Sequence, residues 1–224
     1  MESVCQNLHN PHINRIHFIE SEARHVYNQL GPHCNVTLAQ LGRKARFYSS
    51  RGLRSNVEWS DRLTAGSAFR FASRYLPGKT VILANLDIYF DATLRLLKSD
   101  QWLSVSAMYF LSRYESDERI SIGTQCGPAY MGSHDSFVFV PPLPRALVER
   151  TNQLALGMPG MENRMIHDFR RAGIRILNPC KSIRSWHSHR SGVRHLVLPL
   201  ANTNNQSGIV RPSKLIRNPT ADDY

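Results

Sequence analysis

The chain has 224 residues, enough for one sizeable core, and carries 28 Lys and Arg against 17 Asp and Glu, a formal net charge of +11. No apolar run approaches the roughly 18 residues of a membrane span, and the start Met1-Glu2-Ser3-Val4-Cys5 lacks the basic-then-apolar order of a signal peptide, so a soluble, cytoplasmic protein is expected. The cations come in ones and twos, as in Gly42-Arg43-Lys44-Ala45-Arg46, without a long block of like charge, which argues against a nucleic-acid-binding arm and suits a basic rim around a diphosphate site.

Cys5, Cys34, Cys126 and Cys180 lie far apart and form no Cys-x-x-Cys pair, so reduced and mostly buried thiols are expected. In chain order, residues 15–20 (Arg-Ile-His-Phe-Ile-Glu) read as a strand and residues 22–30 as a helix stopped by Gly31-Pro32. Residues 36–41 and 45–48 are weaker strand candidates. A helix over 65–75, stopped by Leu76-Pro77-Gly78, leads into the unbroken apolar run Val81-Ile82-Leu83-Ala84, which predicts a strand buried on both faces in the middle of a sheet. A helix follows over 92–98, capped by Asp91, then strands over 105–111 and 136–140 and a helix from Pro144 to Leu154. A helix over 164–172, a strand over 175–177 and the turn Asn178-Pro179 complete an alternation that predicts an α/β class. Residues 1–198 form the expected domain, and the polar, basic stretch 199–224 is expected to be a poorly packed tail.

Three clusters carry chemistry. Asn85 and Asp87 stand in a two-residue alternation just past the Val81 strand, where open α/β sheets bind ligands and where a metal or phosphate is invited; the structural alternative is a simple turn. Glu162 follows the loop Gly157-Met158-Pro159-Gly160, either as a general base held at a cleft or as an acid that favours the helix start. His187 and His189 share one side of an extended segment, good geometry for lending an imidazole to a metal, although a solvent-exposed pair has the same pattern. Asp87 with one of these histidines makes a mixed oxygen and nitrogen site suited to Mn²⁺.

The helix Gly66-Ser67-Ala68-Phe69-Arg70-Phe71-Ala72 and the stretch Ile82 to Asp91 resemble the helix and the Asp-x-Asp strand end of nucleotide-sugar glycosyltransferases with the A-type fold. Leu111-Ser112-Arg113-Tyr114-Glu115, Gly132-Ser133-His134-Asp135-Ser136-Phe137, the Gly157 loop, Asn178-Pro179 and the late histidines follow in matching order. Together, over residues 8–196, they resemble a small group of algal, bacterial and large-DNA-virus sugar transferases. The resemblance implies a Rossmann-like fold with a mixed central sheet flanked by helices and a metal-dependent, inverting transfer from a nucleoside-diphosphate sugar to an acceptor hydroxyl on a glycan, lipid or protein, with Mn²⁺ or Mg²⁺ as cofactor. It implies that Asp87 and His189, or failing that His187, ligate the metal. Asn85, Asp87, Arg62 and Arg70 would bind the donor, Glu162 would take the acceptor proton, and Asp135 would touch donor or acceptor. Two departures stand out: Ser67 replaces an acid, and the apolar first strand expected ahead of a helix over residues 2–8 is missing. A binding protein that has lost turnover therefore stays open as a second reading, and a basic nucleic-acid-binding domain as a third.

Overall fold

The computed structural model describes residues 1–20, 23–49, 63–116, 125–127, 130, 132–188 and 206–215. Among them the chain is mixed α/β, with three small sheets and six α-helices. Helix α1 (Glu2–His9) is followed by β1 (Ile16–Glu20), α2 (Ala23–Cys34), α3 (Leu38–Lys44) and β2 (Ala45–Ser49), and β1 and β2 pair in parallel. The predicted strand over 36–41 is instead the start of α3. Thr37 accepts the Gln40 amide and Gln40 reaches back to the Thr37 amide, so a capping box outweighs the β preference of Val36 and Thr37. Helix α2 also runs past the predicted Gly31-Pro32 stop, because Leu30 and Cys34 are buried against α1 and Cys34 is bonded to Cys5; the stop is Asn35, in the left-handed region at φ 51°.

The second sheet has four strands in the order β3 (Val81–Ala84), β7 (Ser136–Phe139), β5 (Ala107–Leu111), β8 (Arg175–Leu177), with β3–β7 and β5–β7 antiparallel and β5–β8 parallel. Here the expectation for Val81 to Ala84 needs correction. Strand β3 stands at the edge with all four residues only half-buried, while β5 and β7 are the central strands, buried throughout. The apolar run is real, but among the described residues β3 has one strand neighbour, and its residues line a cavity. Alternation along β5 feeds two cores. Met108 and Phe110 pack beneath α4 (Ala65–Tyr75), α5 (Arg145–Arg150) and α6 (Met161–Arg171), and Ala107, Tyr109 and Leu111 pack against Ile88, Leu94 and Trp102 on the other face.

The third sheet is β4 (Ile88–Phe90), β9 (Ser185–His187) and β6 (Arg113–Glu115), in that order. Between β4 and β5 the predicted helix over 92–98 is a 3-10 helix, Ala92–Ser99, capped as expected by Asp91, whose carboxylate accepts the Thr93 amide at 2.8 Å. That carboxylate lies below its usual pKa: burial pushes it up, and bonds from Thr93 and Trp186 outweigh the burial.

The cysteines are not reduced thiols. Cys5–Cys34 and Cys126–Cys180 are disulfides with Cα separations of 4.9 and 5.9 Å, within the range a disulfide bridges. Sequence spacing conceals both pairings, since each joins residues that only the fold brings together. The segment expected to pack poorly is in part well held: Val210 is buried in the core beneath α6, the Val210 carbonyl accepts from Asn178, and the Ser213 amide donates to the Asn178 carbonyl at 2.8 Å. Among the described residues no helix is long and apolar enough to cross a membrane.

Candidate active site

Strand register builds the site. In the β4–β9–β6 sheet, His187 is paired with Ile88 on one side and with Glu115 on the other, so Asp87, one residue before Ile88, and Glu115 flank its ring. The ladder continues through the Ser188 amide, which donates to the Asp87 carbonyl at 2.9 Å. The outer edge of β4 is covered by α1. Ser3 donates to the Asp87 carbonyl, Asn7 bonds both Ile88 and Phe90, and Asn10 donates to the Phe90 carbonyl at 2.8 Å, so side chains supply the partners that a neighbouring strand would otherwise give.

From Asp87 the polar contacts run in one chain. His187 Nε2 lies 3.2 Å from Asp87 Oδ2, and its Nδ1 lies 2.7 Å from Glu115 Oε2. Both contacts are to carboxyl oxygens, an arrangement that favours a proton on each ring nitrogen. Burial lowers the His187 pKa, but bonding to Asp87 and Glu115 outweighs it and the net shift is upward. Glu115 Oε1 in turn accepts from Arg113 Nε at 2.6 Å, and Arg113 Nη1 donates to Asp135 Oδ2 at 2.6 Å. Arg113 and Glu115 are almost wholly buried, at 8% and 3% side-chain exposure, so theirs is a desolvated ion pair and not a surface one.

Glu162 lies in the first turn of α6, behind Gly160, whose φ of 79° suits the glycine that begins the helix. Part of the residue reaches solvent, yet its carboxyl is closely surrounded by protein, and burial raises its pKa from 4.5 to about 7; its own amide and Arg113 lower it, and Asp135 raises it. A carboxyl poised near neutrality is chemically suited to take a proton.

The structure thus joins Asp87 with His187, links that pair through Glu115 and Arg113 to Asp135, and places Glu162 within the field of Asp135 and Arg113. Asn85 is exposed in the turn after β3, where its carbonyl accepts the Ile88 amide. Arg70 is not part of the network: its guanidinium donates to Ser67 of α4 and to Asn152. Arg62 and His189 lie outside the described residues. Sequence reasoning assigned no role to Arg113 and Glu115. The signal was present in their i, i+2 spacing directly after the apolar strand, which puts both on one face of an extended segment.

Asp87 and His187 fit a divalent cation as a partial site. Glu115 on Nδ1 is the kind of outer carboxylate that orients a ligating imidazole and leaves Nε2, the atom beside Asp87, to face a metal. Among the described residues no group of three or more His, Cys, Asp or Glu forms a complete site. Such an ion would draw its other ligands from substrate phosphate oxygens and water, the usual habit of Mg²⁺. Comparison of the chain with protein-family models, curated proteins and solved structures finds no match in any of the three.

Proposed function

We propose that the chain is a metal-dependent glycosyltransferase with a Rossmann-like, A-type fold, moving a sugar from a nucleoside diphosphate to an acceptor hydroxyl. The observation that carries this reading is the Asp87–His187–Glu115 arrangement, bonded through Arg113 to Asp135, with a further carboxyl, Glu162, whose pKa is near 7, within the field of Asp135 and Arg113. Asp87 and His187 would hold Mn²⁺ or Mg²⁺, which when bound offsets charge on the departing diphosphate. Glu162 takes the acceptor proton, and its pKa gives it a substantial unprotonated fraction at neutral pH while it keeps appreciable basicity. Asp135, fixed by Arg113, orients sugar or acceptor hydroxyls. The two disulfides fit an oxidising compartment better than the cytoplasm expected from the sequence.

One observation favours a second reading, a binding protein without turnover: among the described residues the strand leading to Asn85 and Asp87 has a strand neighbour on one side only and lines a cavity, so the strand end that would hold the donor is less firmly supported. Calorimetry with a panel of nucleoside diphosphates, with and without Mn²⁺, followed by transfer assays with the best binder, tests both. The transferase requires tight binding that depends on metal and release of the nucleoside diphosphate from a sugar nucleotide. Metal-dependent binding without release supports the second reading, and indifference to metal removes the first.

A further inference from the structure

We infer that the cavity between β1 and β3 is a receptor for an extended, apolar peptide segment with an acidic flank, which adds as a β-strand and joins the two sheets. This proposal does not rest on sugar transfer. The cavity has a volume of about 760 Å³ and is lined by Ile16 to Ile19 of β1 and by Val81 to Ala84 of β3. Among the described residues β1 pairs only with β2 and β3 only with β7, and four consecutive residues of each strand line the same space. Strand edges in a protein interior call for partners. A lipid or a small apolar molecule could fill the space but could not pair with two edges, whereas a peptide backbone in extended form offers donors and acceptors on both sides. Phe71 of α4 and Leu97 of the 3-10 helix add apolar walls, which suit Val- or Ile-rich side chains.

The length follows from the flanking strands. With five residues in β1 and four in β3, four or five extended residues make the full set of bonds. The acidic flank follows from charge. Arg15, Lys79 and Lys98 line the cavity, and no Asp or Glu does so among the described residues. His12 and His17 also line it, and the buried Nδ1 of each has no hydrogen-bond partner among the described residues, so the slot holds polar atoms awaiting a partner as well as cations.

The test uses the full chain and the synthetic peptide acetyl-Asp-Asp-Val-Ile-Val-Thr-amide. Binding is followed by calorimetry and by hydrogen exchange at the amides of residues 16–19 and 81–84. Saturating peptide is expected to slow exchange in both strands. A version N-methylated at alternate residues, which cannot pair on one side, should bind about tenfold more weakly, as expected for losing one or two main-chain hydrogen bonds. Lys79→Glu should weaken the Asp-flanked peptide about threefold, the scale of an exposed charge pair, and strengthen a Lys-flanked version. Equal binding of the N-methylated peptide, or protection of only one strand, overturns the proposal. Protection of both strands without peptide, in a chain that runs as a dimer, overturns it in favour of a second copy as the occupant.

Discussion

Glu115 Oε2 lies 2.7 Å from Nδ1 of His187, across the β6–β9 pair that sets the two residues side by side. With Nδ1 engaged, the ring presents Nε2 to Asp87, 3.2 Å away, so the orientation of the candidate ligand depends on a residue that would not itself touch the metal. That separation between holding and ligating makes Glu115 the most informative position to alter.

Replacing Glu115 by Gln keeps a hydrogen-bonding group of similar shape and removes its charge. Metal affinity, measured by Mn²⁺ titration in the presence of a nucleoside diphosphate, should fall about 10- to 100-fold, the usual effect of losing an outer carboxylate. The His187 pKa, followed by NMR without metal, should fall as well, because one of the two carboxylates that raise it is gone. An unchanged Mn²⁺ affinity would take Glu115 out of the site.

Proton and metal compete for His187 Nε2. Since the His187 pKa is raised above 6.5 by Asp87 and Glu115, the protonated ring predominates below that raised value and the metal-binding form gains as pH rises through it. Metal affinity should therefore climb with pH across this range, with net proton release on binding. Calorimetry in two buffers of different ionisation enthalpy reads the released proton directly. Binding that is flat with pH and releases no proton means that His187 is not a ligand.

How much of this was legible in the sequence depended on whether the deciding interaction was local. The helix over 65–75 and the Asp91 cap were readable because their signals lie within a few residues: Thr64 accepts the Ser67 amide at the helix start, and Asp91 accepts the Thr93 amide. Asp87 and His187 were singled out from spacing, but their meeting depends on β4 and β9 pairing across 100 positions, which no local pattern shows. The edge position of β3 was hidden for the same reason, because an apolar run reports a wish to be buried and not which neighbours are available. The capping box of α3 is a local signal too, carried by Thr37 and Gln40, and it outweighs the β preference of Val36 and Thr37.

The Cys126–Cys180 disulfide closes a loop of 54 positions beside the site: the Gln125 and Cys126 amides both donate to the Arg113 carbonyl, and Tyr114 donates its hydroxyl to the Cys180 carbonyl. Replacing both cysteines by Ser should cost about 2–5 kcal/mol of stability. That corresponds to a melting temperature lower by roughly 4–20 °C. Metal-dependent binding should weaken in the variant even well below its melting point, because Arg113 is anchored from this loop. Loss of stability with full binding would confine the bridge to a role in folding.

Glu162 gives a stability prediction whose sign is opposite to that of a carboxylate in a salt bridge. Its folded pKa of about 7 exceeds the 4.5 of the free side chain, so the native state binds the proton more tightly and stability falls as pH rises from about 4.5 to 7. Above that window the buried charge is a constant burden of about 1–3 kcal/mol after allowance for its partial exposure, offset by about 0.3–1 kcal/mol from the start of α6. Glu162→Gln should therefore melt close to the parent at pH 4 and above it, by up to about 10 °C, at pH 8. A variant that melts lower at both values would make Glu162 a helix-stabilising acid instead of a strained base.

The last prediction joins Glu162 to Asp135. Asp135 raises the Glu162 pKa by like charge, and Arg113, which lowers it, is held by Asp135 at 2.6 Å. In Asp135→Asn the repulsion disappears and Arg113 loses a competing charge, so both changes move the Glu162 pKa down. If Glu162 is the base, the acid limb of the pH–rate profile, which in the parent should rise through about pH 7, must shift to lower pH in Asp135→Asn. The maximal rate should fall at the same time, because the weaker base accepts the proton less readily and Asp135 no longer orients its hydroxyl partner. In Glu162→Gln the limb should disappear along with about 10²- to 10⁴-fold of the rate. The measurement is transfer rate from pH 5 to 9 for the three proteins with one donor and one acceptor. A limb that stays in place when Asp135 is changed, yet vanishes with Glu162, would show the two carboxyls to be uncoupled. A limb that survives Glu162→Gln would assign the titration to another group, with His187 the first to examine.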